Sequence, residues 1–202
     1  MSQLRMFPRK ALVQFPKLEP SADSLGEVEA DDHFLYYVKG DLAGIAIRAN
    51  EWLGTHIAEA VGLADSAPCV IELQDGSTVF GSRRIAGVAH ATVTTTFLTA
   101  PTASNLSGPV VGISALLSKI YAFDMFFHND HRHLGNFLSV DDRGRRRLYA
   151  FDFSRALFWT WPWNGGYPGP LSNARRWGSV LRQLHWLRSP RNSATSGRDR
   201  ER

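Results

Sequence analysis

The stretch that most limits what this chain can become runs from Asp124 to Asp152, DMFFHNDHRHLGNFLSVDDRGRRRLYAFD. It holds two polar knots inside apolar fences. The first is Asn129-Asp130-His131-Arg132-His133-Leu134-Gly135-Asn136; the second is Asp152, set between Phe151 and Phe153. Residues 136–140 and 147–151 read as two strands, and Asp141-Asp142-Arg143-Gly144 has the composition of a hairpin turn. Such a hairpin would bring Asn136 and Asp152 to neighbouring strand ends. An amide oxygen and a carboxylate held there suit a divalent metal, because hard cations take oxygen ligands. The plainer alternative is a polar turn between a helix and a hairpin.

Further motifs lie upstream. Phe34 to Lys39 alternates as a strand, with Leu35, Tyr37 and Lys39 on one face. Arg48 to Gly62 has helical periodicity, with Leu53, Ile57 and Ala60/Val61 as its apolar stripe and Gly62 as a C-cap. Glu51 falls in line with Gly54, Thr55 and Ala58, a row of small residues that admits a close neighbour. Gly112 to His128 predicts a second helix, with Ile113, Leu116, Leu117, Ile120, Phe123 and Phe127 buried. Asp124 falls on that stripe, where a carboxylate needs donors. Arg132 and His133 are the nearest candidates; an Asp at the stripe's edge facing water is the alternative.

The N-D-H-R-H-x-x-N run followed by F-D-F-S resembles the catalytic loop and metal-binding segment of the HipA-like bacterial kinases, and more distantly the D-R-H-x-x-N loop of phosphatidylinositol kinases. The resemblance covers roughly residues 27 to 185, in fragments. It implies an α+β, two-lobed protein-kinase-like fold that binds ATP and Mg2+. A small β-rich N-lobe would span 1–87 and a shortened helical C-lobe 88–188, ahead of a disordered basic tail over 189–202. By the same likeness Asn136 and Asp152 would hold metal, Lys39 would contact the nucleotide phosphates, and Glu51 would pair with that lysine. From the residues alone, Lys39 also reads as an exposed edge-strand lysine and Glu51 as a first-turn acid favouring the helix dipole. Asp23-Ser-Leu-Gly26 is a weak candidate for a turn over bound nucleotide.

One position departs from the family pattern. Five residues before Asn136, where the resemblance implies the catalytic Asp, stands His131; Asp130 is one residue earlier. Either Asp130 serves the acceptor hydroxyl through a rearranged loop, or His131 is the base, or transfer is impaired. The leading expectation is a phosphotransferase acting on a protein Ser/Thr. The second is a pseudokinase, a nucleotide-sensing or partner-binding module. A metal- or nucleic-acid-binding protein using the His/Arg cluster is third.

The remaining sequence sets bounds. Its 202 residues, 44% of them apolar, suffice for a sizeable core. No run of 18 apolar residues is present, the N-terminus lacks a signal-peptide apolar region, and Cys69 has no partner cysteine, so a cytoplasmic protein is expected. From Ser172 on, eight Arg stand against Asp199 and Glu201, whereas the preceding 171 residues carry 15 basic and 17 acidic groups. The basic character belongs to the tail, which argues against nucleic-acid binding by the folded part. A protein substrate or an antitoxin-like partner fits the resemblance; a membrane partner does not.

Cys69–Leu73 and Thr78–Ile85 read as strands around an Asp75-Gly76 turn, leading into a hinge at 82–87. Residues 88–112 read as a connector with little periodicity. The aromatic run from Ser154 to Trp163 reads as core or interface more than as a ligand platform. A last helix is expected over Arg175–Leu187, with Val180, Leu181, Leu184 and Leu187 apolar. Few foldable residues follow Asp152, so the end is expected to be truncated relative to the family. P-loop, zinc and hydrolase-elbow patterns are missing from the sequence.

Overall fold

The structure, a computed structural model, describes residues 7–17, 23–64, 66–99, 113–143, 145–160 and 172–185. Five strands open the fold: β1 (Arg9–Phe15), β2 (Ser24–Ala30), β3 (Leu35–Lys39), β4 (Cys69–Glu72) and β5 (Thr78–Arg83). They close a barrel in the order β1-β2-β3-β5-β4, and a short parallel pairing of Arg9 with Ile71 seals it. Closure removes the exposed edges of an open sheet. Val28, Ala30, Tyr36, Val38, Ile71 and Val79 fill the interior.

In β3 the alternation holds, but Tyr36 and Val38 face inward and Tyr37 is exposed. Lys39, on the opposite parity, therefore stands on the outer face of the barrel wall. Asp23 to Gly26 is not a turn: Ser24–Gly26 opens β2, with a register shift against β3 and Gly26 at φ +110°.

Helix α1 (Ile47–Ala60) packs beside the barrel. Asp41 starts it by accepting the Arg48 backbone N–H at 2.8 Å, and Gly62, at φ +75°, turns the chain out of it. The buried face is not the apolar stripe expected from the sequence. Leu53, Ile57 and Val61 are 39%, 38% and 50% exposed, whereas Ile47, Asn50, Glu51, Gly54, Thr55 and Ala58 are buried. The reason is steric. A Cβ built on Gly54 would lie 2.5 Å from Phe153 Cβ, so only this thin face lets Phe153 approach.

A second core gathers Ala58, Leu63, Leu98, Leu117, Ile120, Phe123, Phe127, Phe137, Leu148 and Phe153. It joins α1 to α2 (Ala91–Thr99), α3 (Ile113–Phe126) and the hairpin of β6 (Phe137–Asp142) and β7 (Arg145–Ala150). Leu117, Ile120, Phe123 and Phe127 are buried as the periodicity of α3 requires. Helix α2 corrects the expectation of an aperiodic connector. Its Leu98 reaches this core, and Thr94 bonds Ser139 of β6 at 2.8 Å.

Helix α4 (Asn173–His185) lies against α3. Ala174 is buried, and a Cβ on Gly178 would run into the Tyr121 ring. Val180, expected inside, is 38% exposed. The second half of the 88–112 connector, most of the loop after Trp159, Leu187 and the basic tail lie outside the described residues. Among the described residues no helix is long and apolar enough to cross a membrane.

The two faces of α1 make opposite stability predictions. Gly54→Ala should destabilise by about 2 kcal/mol, the usual cost of overpacking. Leu53→Ala should stay within about 0.5 kcal/mol, as surface substitutions do. Urea unfolding measures both, and the reverse order would place the apolar stripe inside.

Candidate active site

The hairpin closes its turn at Arg143, which sits at φ +54°. Its open end pairs Phe137 with Ala150. One step further out, the Phe151 N–H donates to the Asn136 carbonyl at 3.2 Å. Asn136 thus lies across from Phe151, and Asp152 is the next residue along. Asp152 leaves the strand at φ +63°, a conformation that costs about 1 kcal/mol or more outside glycine. The turn aims its carboxylate at β3 and α1.

There it meets Lys39. The Lys39 ammonium donates to Glu51 Oε1 at 2.5 Å, to Asp152 Oδ1 at 2.8 Å and to Ser154 Oγ at 2.9 Å. The Ser154 hydroxyl is also 2.8 Å from both carboxylates, and the Phe153 N–H donates to Glu51 at 3.2 Å. Three segments far apart in sequence meet on this one nitrogen. Burial works to lower the Lys39 pKa, but Glu51 and Asp152 outweigh it, so the ammonium stays charged well above its ordinary range. Burial pushes Asp152 up, and Lys39 and the Ser154 hydroxyl more than reverse it, leaving the carboxyl below its usual range. Glu51 is the most enclosed member. Burial raises its pKa against the pull of Lys39.

The loop before the hairpin is pinned by a second cation. Arg132 donates to both oxygens of Asp124, each at 2.9 Å, and both side chains are buried. It also donates to the Asn136 carbonyl at 3.0 Å and to the Phe151 carbonyl. Asn129 Nδ2 donates to Asp124 at 2.9 Å, and Asn129 Oδ1 accepts the His131 N–H at 3.2 Å. Of the two donors considered for Asp124, Arg132 fills the role; His133 instead accepts the Gly135 N–H at 3.0 Å.

The loop so held places Asp130 and His131 on a cleft of about 230 Å³, which Arg155, Trp159, Ser172 and Asn173 complete. Burial, then the charge of Arg155, lowers the His131 pKa and keeps its ring neutral at neutral pH. Asn136 donates its amide to the His131 carbonyl at 3.1 Å. Lys39, Glu51 and Asp152 therefore form one cluster, while Asp130 and His131 share the neighbouring cleft.

Residues 27–161 match the family model described as HipA-like kinase. The chain belongs to the HipA-like kinase family. Among solved structures it resembles the crystal structure of a Helicobacter pylori proinflammatory kinase, CtkA, at 13% identity and a TM-score of 0.48. That alignment covers 76% of this chain and 58% of the CtkA chain, so the chain spans under two thirds of that kinase. No curated protein matches it.

Two site residues escaped the sequence reading. Asn50 donates to the Ser154 carbonyl at 2.8 Å and accepts the Phe158 N–H at 3.0 Å, clamping the segment after Asp152 onto α1. Its signal was the spacing Asn50, Gly54, Ala58, one row of small and polar residues at every fourth position. Ser154 enters the sequence analysis only as the last residue of F-D-F-S; its hydroxyl sits among all three charges.

Removing the central cation exposes the balance. Lys39→Met should cost about 3 kcal/mol at pH 7.5, because buried Glu51 and half-buried Asp152 lose their counter-charge. Their folded pKa values then rise above the unfolded range near 4, so the folded variant binds protons first as pH falls. The deficit should shrink at pH 5, as urea titrations at both pH values would show; equal deficits would mean the cluster carries no such charge.

Proposed function

We propose that this chain is an ATP- and magnesium-dependent phosphotransferase that moves the γ-phosphoryl group to a Ser or Thr hydroxyl of a protein. The nucleotide would lie between a barrel lobe and a helical lobe. Membership of the HipA-like kinase family supports the reaction class. The observation that carries the reading is Lys39 held by Glu51 on one side and Asp152 on the other. A lysine so fixed presents a localised positive charge to phosphate oxygens. Glu51 keeps it in place when Asp152 turns away.

The residues present suit magnesium. Asn136 commits its amide nitrogen to His131, and its Oδ1 makes no hydrogen bond among the described residues. Asp152 uses Oδ1 for Lys39 and Ser154, and no hydrogen bond among the described residues involves Oδ2. One amide oxygen and one carboxylate oxygen fit an ion that fills the rest of its shell with phosphates and water. Among the described residues no trio of His, Cys, Asp or Glu cages a metal unaided. Bound there, magnesium neutralises charge on the transferring group.

Asp130 is the residue we assign to the acceptor. Its exposed carboxylate lines the cleft beside the cluster and takes the hydroxyl proton as the new oxygen–phosphorus bond forms and the bond to the β-phosphate oxygen breaks. His131, neutral beside it, orients the hydroxyl. A second reading rests on one observation: the residue five before Asn136 is His131 and not an acid. On that reading the chain binds nucleotide without transferring phosphate.

Transfer of label from γ-labelled ATP to the chain itself or to a Ser/Thr protein mixture tests the reading. Asp130→Asn should lower the rate by about 100-fold and His131→Ala by under ~10-fold, as expected for a general base and its neighbour. The opposite order would make His131 the base. No transfer by the parent, with a melting temperature still raised by ATP–magnesium, would establish the pseudokinase, and His131→Asp should then gain activity.

A further inference from the structure

The cleft beside the lysine cluster carries more than the two loop residues assigned to the acceptor hydroxyl. Among the described residues it is lined by Asp130, His131, Arg155, Trp159, Ser172 and Asn173. Lys39 is not among them, so the cleft is separate from the phosphate-facing cluster. At about 230 Å³ it falls below the ~300 Å³ at which pockets for drug-sized ligands begin.

Its charge is unusual. Asp130 and Arg155 share the lining, and the Asp130 N–H donates to the Arg155 carbonyl at 3.4 Å, yet no ion pair joins their side chains. Among the described residues the Arg155 guanidinium makes no hydrogen bond or ion pair at all, and its Nε is buried with no partner. Its guanidinium carbon stands 4.7 Å from the centroid of the Trp159 ring, a cation–π contact. A buried donor left unmade costs about 1–3 kcal/mol. The Trp159 contact leaves the guanidinium's donors unspent, the state in which arginine recognises carboxylate or phosphate. Ser172 and Asn173 add a hydroxyl and an amide to the same wall.

Resting on the kinase reading above, we propose that this cleft is the acceptor subsite and that Arg155 selects the acceptor. It takes an anionic side chain, carboxylate or phosphate, that flanks the Ser or Thr presented to Asp130. Arg155 is thus a specificity-determining residue. Trp159 is its positioning partner, and substrates are hydroxyl residues in acidic or already phosphorylated segments. The aromatic run from Ser154 reads, from sequence, as core or interface more than as a ligand platform. The stack of Trp159 under Arg155 gives one member of that run a different task.

Fluorescence anisotropy with the full chain tests this directly. Three labelled decapeptides are compared, each with one central Ser, flanked by Glu, by phosphoserine or by Ala. The Glu and phosphoserine peptides should bind at least tenfold more tightly than the Ala peptide, and their ratio says whether carboxylate or phosphate is preferred. Arg155→Met, which keeps an apolar stem on Trp159, should bring all three peptides to the same affinity. Should that variant not fold, the parent decides alone: the preference must decline between 50 and 300 mM NaCl, since it rests on charge. Equal binding of the three peptides, no binding of any, or a preference that survives either Arg155→Met or salt would overturn the subsite. Titrating the same parent with ATP–magnesium separates the two claims: nucleotide binding without peptide preference removes the subsite alone, whereas no nucleotide binding removes the kinase reading itself.

Discussion

A single ammonium group holds the parts of this molecule in register. Lys39 ends a barrel strand on the outer wall, where Glu51 of α1 and Asp152 beyond β7 reach it from two sides. Lys39 and Glu51 are 12 residues apart, and Asp152 lies 113 residues beyond Lys39. A buried acid without its cation is expensive, so the cluster forms only if barrel, helix and hairpin all arrive in position. Ser154 and Asn50 complete the arrangement, the first inside the charge cluster and the second by clamping the chain that follows it. The left-handed turn at Asp152 has a physical reason in this setting: it delivers the carboxylate to Lys39.

Arg132 repeats the device on the other side of Phe153. It ties Asp124 of α3 to both open ends of the hairpin, through the Asn136 and Phe151 carbonyls. Its guanidinium carbon stands 5.2 Å from the Phe153 ring, whose other flank lies against Gly54. Phe153 therefore sits between the Arg132 guanidinium and the thin face of α1. Apolar residues of the same size would pack as well, and often with greater stability. What charges add is direction: each fixes the positions of particular oxygens, and a site that must place atoms to a fraction of an ångström depends on that.

Much of this was legible in the sequence. The hairpin, α3 and the strand–helix pair carrying Lys39 and Glu51 follow from period, turn chemistry and order. The buried Asp124 with Arg132 follows from a carboxylate on an apolar stripe. Other features were not legible, for reasons that are physical. Amphipathic periodicity reports where apolar residues lie, and in α1 they lie outside, because Phe153 requires the thin row of Asn50, Gly54 and Ala58. Helix α2 is Thr-rich and weakly amphipathic, so its burial depends on β6 and not on its own pattern. The unspent donors of Arg155 depend on a stack with Trp159 that no spacing announces. The parity of Lys39 with Tyr37 follows from strand alternation, but which of the two faces lines the barrel does not.

What distinguishes a nucleotide site from a purely structural charge cluster is whether Asp152 can exchange Lys39 for another cation. Calorimetric titration of the full chain with ATP, with and without magnesium, measures that exchange. Binding that tightens at least tenfold when magnesium is added, and loses that gain in Asp152→Asn, is the expected result. Identical binding with and without magnesium, or none in either case, would show that the cluster only holds the fold together.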